Sequence, residues 1–482
     1  DIVTSNISSG VSVHDPSILE ADGAYYIFGS HMSAAKSDDL KNWKTVSDGY
    51  MKNNPVYGQV YDVADEAFAY SGSKNSLIVT DDKTTHVWAP DVIYNKKMKK
   101  YCMYYCMTST WNASNLCFGI SDNPEGPYVW QSALLYSGFN NSTLDGTNVL
   151  EVVEESYAKK HYIKGGAYNF EDYPNAIDPS VFYDKDGKMW MVYGSWSGGI
   201  YLLEIDESTG NIIFPEGNEE KRVDPYFGKK LIGGGHISIE GPYIIYDSES
   251  DYYYLYVSYG ALTSNGGYQI RAFRSKTVDG DYVDMKGEYP EKSSIHQNFG
   301  LKLSGNYKLP SLEKAYMATG HNSALIASDK RKYIIFHTRF NDSGEGHSPR
   351  VHQMLLNKEG WPCMLPYQTQ NELVEENGYS EGQMIGRYYV INQGTAINNE
   401  IANPVIIYLN ADGSLEGREV SGSWSKTENT YYMRLVVDDK EYSGVFCAML
   451  DEAGTECMVF SAVGENESLW GVKYVGEVLE NE

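Results

Sequence analysis

No stretch of this sequence approaches the roughly 20 consecutive apolar residues that a membrane-spanning helix needs. Basic residues are scarce too: 39 Lys and Arg stand against 65 Asp and Glu, a formal net charge of −26. A surface that acidic repels phosphate backbones and argues against nucleic acid as a partner, and equally against an unsubstituted pectin backbone. A neutral substrate or a bound cation fits better. Cysteine is sparse, six in 482 residues, with neither metal-site spacing nor a disulfide framework. Cys102 and Cys106 are four apart in a strand-like run, so their Cα atoms would lie about 13 Å from each other, beyond the ~7 Å limit for a bridge. Buried free thiols are therefore expected. Helical periodicity is scarce. The chain begins at Asp1 rather than Met, which reads as a trimmed chain or a removed signal peptide. An extracellular, bacterial-type protein is expected.

Tyrosine, by contrast, is abundant: 42 residues against 14 Phe and 9 Trp. Tyr favours strands, and it also suits polar surfaces that grip something half apolar, such as a sugar ring. The chain also repeats itself. Five segments align: DPSILEADGAYYIFGS from Asp15, APDVIYNKKMKKYCMYYCMTS from Ala89 to Ser109, DPSVFYDKDGKMWMVYGS from Asp178, EGPYIIYDSESDYYYLYVSY from Glu240 and HNSALIASDKRKYIIFHT from His321. Each opens on a polar residue beside small residues or Pro. A short apolar strand follows, then a charged or Gly-bearing turn, then a second strand rich in aromatics.

The intervals between repeats leave room for two further strands per unit. Four strands per unit, repeated radially, make a propeller blade, so the expectation is an all-β, five-bladed β-propeller. The innermost strand of each blade lines the axis. Asp15, Asp91, Asp178, Glu240 and His321 should therefore converge on one cavity, where crowded carboxylates need a cation or a function to hold them. Taken singly, each is also an ordinary turn or strand-start residue. The propeller is expected over residues 1–370, a polar, acidic linker over 371–383, and a small C-terminal β-barrel or β-sandwich of short alternating strands over 384–482.

The motifs VHDPS around Asp15, HVWAPDV around Trp88 and Asp91, NAIDPS around Asp178, YGSWSGG around Trp196, GGGHISIEGPY around Glu240, ATGHNS around His321, and HTRF with GHSPRVHQM fall in order along the propeller region. Together they resemble glycoside hydrolase family 43, and within it the two-domain endo-α-1,5-L-arabinanases. The resemblance implies inverting hydrolysis of internal α-1,5 links in arabinan or arabino-oligosaccharides. It implies Asp15 as general base, Glu240 as general acid, and Asp178 as the carboxylate that orients the acid and keeps its pKa raised. Inversion needs one ionised and one protonated carboxyl about 6.5–9.5 Å apart.

The same likeness implies one calcium ion held at His321, largely through waters, although calcium prefers oxygen ligands. Asn175, Ala176, Ile177, Ser195, Trp196, Ser197, Trp88, Asp91 and His236 are the implied substrate-binding residues. Both Trp rings are stacking platforms in this reading, or ordinary blade packing. Arg339 is expected to pair with carboxylates at the cavity. A monomer is expected. The competing readings are an exo-acting α-L-arabinofuranosidase or β-xylosidase on the same fold, a retaining five-bladed enzyme of the sucrose-acting type, and a sugar-binding propeller without catalysis.

Overall fold

A computed structural model describes residues 1–50, 53–71, 79–80, 83–84, 86–108, 112–342 and 344–474. Ser109, which ends the second repeat, and residues 475–482 of the expected C-terminal domain lie outside the described residues. The fold is nearly all β, with a five-bladed propeller followed by a closed barrel. The innermost strands of the five blades are Ser17–Ala21, His86–Asn95, Ser180–Tyr183, His236–Asp247 and Tyr316–Ile326. Each contacts the next in that order, and the fifth contacts the first, so the ring is closed. Among the described residues the α-helices are short, the longest having seven residues, and no helix is long and apolar enough to cross a membrane. All six cysteines are buried and unpaired.

Some of the abundant tyrosines serve the joints between blades. Buried Tyr104 of blade 2 donates its hydroxyl to Gly210 O at 2.7 Å, and Tyr254 of blade 4 donates to Gly360 O at 2.6 Å. A flat ring fills the wedge between twisted sheets, while its hydroxyl satisfies a turn carbonyl that would otherwise be buried alone. Each tyrosine thus spans an apolar gap and ends on a polar group.

The heads of the innermost strands share one local device. Asp15, Ala89, Asp178, Gly241 and His321 occupy matching places in the five blades, and all have left-handed backbone, with φ of 57°, 39°, 56°, 60° and 51°. Such a kink breaks the two-residue alternation and re-aims the neighbouring side chains along the axis. It also corrects the expected equivalence of the repeat openers. Glu240 stands one residue before its blade's kink. Asp91 stands two after, level with Ser17, Ser180, Tyr243 and Ser323.

The C-terminal unit is a barrel rather than a sandwich. Its eight strands run from Gly386–Asn392 to Glu467–Tyr474, and the first pairs with the last through Tyr389↔Val472. Its interior is filled by Tyr388, Leu409, Trp424, Phe446 and Phe460. The stretch before it carries a short helix, Glu381–Met384, started by a capping box from Ser380 and Gln383.

Candidate active site

At the strand heads lies a cavity of about 790 Å³, lined among others by Asp15, Asp178, Glu240 and His321. Every blade contributes to its lining, Trp88 being the contribution of blade 2. The floor is electrostatically divided. Asp15 Oδ1 lies 3.0 Å from His321 Nδ1, and its Oδ2 lies 2.9 Å from His14 Nδ1 and accepts from Ser30 Oγ at 2.5 Å. Burial pushes the Asp15 carboxyl upward, but the two imidazoles outweigh it and hold the group well below the usual carboxylate range. His321 shows the reciprocal effect: burial lowers it, and Asp15 lifts it to about 9.

Glu240 and Asp178 behave in the opposite way. Burial raises Glu240, and the nearby negative charge of Asp15 adds to that, against the opposing pull of His321. Burial lifts Asp178 to about 7, with Glu240 and Asp15 contributing by like-charge repulsion. Ser195 Oγ donates to Glu240 Oε2 at 2.9 Å, and Gly241 N–H donates to Asp178 Oδ2 at 3.1 Å. The first contact follows from topology. Ser195–Ser197 leaves blade 3 and pairs with the innermost strand of blade 4, setting Ser195 opposite Glu240. One cavity thus holds a carboxylate kept ionised and two carboxyls kept protonated to higher pH, the division that acid–base catalysis requires.

Of the expected substrate-binding residues, Trp88, Asn175, Ile177, Ser195, Trp196 and His236 line the cavity. Ala176 and Ser197 do not; both are fully buried behind the wall, and Ala176 N–H donates to Ser137 Oγ at 2.9 Å. Asp91 is not in the lining either. It sits buried at the level below, where its carboxylate accepts from Ser17 Oγ and, at 2.7 Å, from Val181 N–H. It ties blades 1, 2 and 3 together, and burial lifts its pKa to about 7. Among the described residues no tyrosine lines the cavity; the aromatic faces there are Trp and His.

Sequence reasoning missed a histidine cluster. His14 and His31 of blade 1 and His347 of blade 5 line the cavity, and His337 lies beneath, its ring centroid 4.2 Å from that of His14. The Asp15 N–H donates to His337 Nδ1 at 3.1 Å. Arg339 presents Nη1 to His337 and Nη2 to His14, at 3.2 and 3.3 Å from their Nε2 atoms. The signal was present in VHDPS and HTRF, but convergence of distant motifs is invisible until the ring closes.

His321, the expected calcium ligand, spends Nδ1 on Asp15. That leaves one imidazole nitrogen, so an ion there would take most of its oxygen ligands from water, a set that calcium tolerates. Among the described residues, the ligand-type atoms that do gather within 4.8 Å belong to His14, Asp15 and His337. Two imidazoles beside a guanidinium suit calcium poorly.

Residues 152–362 match the family described as glycosyl hydrolases family 43, and residues 366–471 match a C-terminal lipocalin-like domain that goes with it. The chain is 37% identical over 481 residues to extracellular endo-α-(1→5)-L-arabinanase 2 of Bacillus subtilis, covering 96% of this chain and 93% of that protein. The crystal structure of endo-1,5-α-L-arabinanase from Thermotoga petrophila is similar at a TM-score of 0.84 and 34% identity, covering 98% of this chain and all of that one. A family 43 protein from Bacillus licheniformis superimposes at a TM-score of 0.83 and 36% identity over the whole of both chains.

Proposed function

The chain belongs to glycosyl hydrolase family 43 and is a glycoside hydrolase, and from that premise we propose that it cleaves internal α-1,5-L-arabinofuranosidic bonds of arabinan by single-displacement, inverting hydrolysis. One observation carries this reading: within one cavity two imidazoles hold Asp15 well below the usual carboxylate range, while burial raises Glu240. Asp15 takes a proton from a water as that water attacks the anomeric carbon from the face opposite the scissile bond. Glu240 delivers its proton to the departing glycosidic oxygen. Asp178, held in place by the Gly241 N–H, orients Glu240, and the like-charge coupling between the two keeps both from ionising together. No covalent sugar–enzyme bond forms. Trp88 and Trp196 supply flat apolar faces for sugar C–H groups.

We propose one calcium ion on the His321 side of the floor, held largely by waters, with the His321 nitrogen that does not face Asp15 able to join only if the ion displaces its proton. It would offset the charge of the Asp15 carboxylate. The substrate is a neutral plant cell-wall polysaccharide met outside the cell, and the protein acts as a monomer. The deciding experiment follows the reaction on linear arabinan by NMR at early times. Oligomers released with inverted anomeric configuration are expected. Arabinose alone would replace the endo reading with an exo one, and retained configuration would overturn the single displacement.

A further inference from the structure

Residues 260–268 join the second and third strands of blade 4 and overhang the cavity. Ala261 and Leu262 belong to its wall, and Leu262 keeps 38% of its surface exposed there. The loop is internally folded, with Ala261 N–H donating to Gly266 O at 3.0 Å and Gly266 N–H to Thr263 O at 2.9 Å. At its base it rests on the C-terminal unit: a Cβ on Gly267 would come within 2.8 Å of Asn398 O, and Gln269 donates to Ala396 O at 3.0 Å. Its tip, Ser264, reaches blade 5.

There the Glu345 carboxylate receives the Ser264 N–H at 2.9 and 3.2 Å and the Ser264 hydroxyl at 2.6 Å. Its Oε2 also lies 2.8 Å from Arg339 Nε. Arg339 is buried and faces His14 and His337, the imidazoles around Asp15. A rim carboxylate exposed on half its side chain ordinarily stays with water and contributes little. This one is instead fixed by a backbone donor, a hydroxyl and a guanidinium together, which sets its geometry. A chain of contacts therefore runs from the base to the overhanging loop of the neighbouring blade.

We propose that Glu345 is a positioning residue for the glycan: it latches the 261–266 loop across the groove, so that Leu262 forms a fixed apolar wall beside the sugars flanking the cleaved bond and sets the length of the released products. The inference rests on the polysaccharide reading above. It makes the groove wall a joint product of blades 4 and 5, braced from behind by the barrel.

Glu345→Gln keeps the volume and removes the charge, and Ser264→Ala weakens the latch while leaving Arg339 its partner. Hydrogen exchange of residues 261–266 and steady-state kinetics on linear arabinan would be measured for both variants. Expected are exchange at the loop faster by about tenfold in Glu345→Gln, a KM for arabinan raised about fivefold with kcat changed less than about twofold, and a shifted product-length profile. Ser264→Ala should move the same readouts in the same direction by less. Unchanged exchange would overturn the latch. Faster exchange with unchanged KM and products would overturn its role toward substrate, as would a loss confined to kcat. A wild-type protein inactive on arabinan would overturn the substrate reading instead, leaving the exchange result to decide the latch.

Discussion

Asp15, buried, and Glu240, half-buried, share one cavity, and their surroundings separate their roles. Two imidazoles pull one down; burial and Asp15's charge push the other up. Replacing Glu240 with Gln should cut kcat on arabinan by about 10²–10⁴-fold, the usual worth of a positioned proton donor. On an aryl arabinofuranoside whose leaving group departs without a proton, most of that loss should vanish. Asp15→Asn should lose activity on both substrates alike, because water must be deprotonated in either case. Equal losses for Glu240→Gln on the two substrates would remove it as the acid. These carboxylates were legible because each stands in a motif of its own. The histidines were not: His14 and His337 are 323 positions apart in the chain, and only the closed ring stacks them.

At the element scale, the kinked strand heads decide which side chain faces substrate and which faces the axis below. Asp91 shows the consequence. As a carboxylate near a repeat opener it reads as a site residue, yet its place two residues past the kink puts it with Ser17 and Ser180. Five aligned segments reveal blades, but a one- or two-residue offset within a bulge is backbone geometry that letters do not carry. Burial lifts Asp91 to about 7, above the ~3.9 of an unfolded Asp. The folded state then binds the proton more tightly than the unfolded one. This contribution is fully present below pH ~4 and is lost as pH rises toward 7. Asp91→Asn should therefore flatten the fall in Tm between about pH 4 and 7, as read by thermal melts across that range; an unchanged slope would discard the assignment.

Gly241 tests the kink itself. Its φ is 60°, and an added Cβ would lie 3.4 Å from the His321 ring. Gly241→Ala should cost about 1–2 kcal/mol in denaturant unfolding. It should also lower kcat, because the same residue's N–H holds Asp178. Unaltered stability and turnover would mean that the strand head tolerates another backbone shape.

For the whole molecule, the question is whether propeller and barrel are two folding units. Alternating strands after the linker make a second β domain legible, but whether it stands alone depends on long-range contacts. Those contacts are extensive. One hydrophobic cluster includes Tyr307, Leu309, Tyr316 and Phe336 of the propeller with Val445, Cys447, Val459 and Trp470 of the barrel. The Trp470 ring meets Tyr307 edge-on at 4.9 Å. Polar groups cross as well: Lys302 N–H donates to Asn466 O at 2.9 Å, and buried Glu452 accepts from Tyr316, whose hydroxyl in turn accepts from Arg350 Nε at 2.8 Å.

A core shared in this way couples the two units, since separating them would expose a fully buried Trp and take from buried Glu452 the Tyr316 hydroxyl and the Ile7 N–H. Calorimetry should show one transition, with calorimetric and van't Hoff enthalpies equal. Trp470→Ala should lower the stability of that single transition by about 3–5 kcal/mol, the usual cost of emptying a buried aromatic site. Two resolved transitions, with Trp470→Ala moving only one of them, would show that the barrel is an appendage. The coupling has a mechanical reason. A propeller of five blades has a narrow axis, and its groove wall on blade 4 leans on barrel residues 396–398. A barrel free to detach would let that wall move with it, so the interface that stabilises the fold also keeps the cleft in shape.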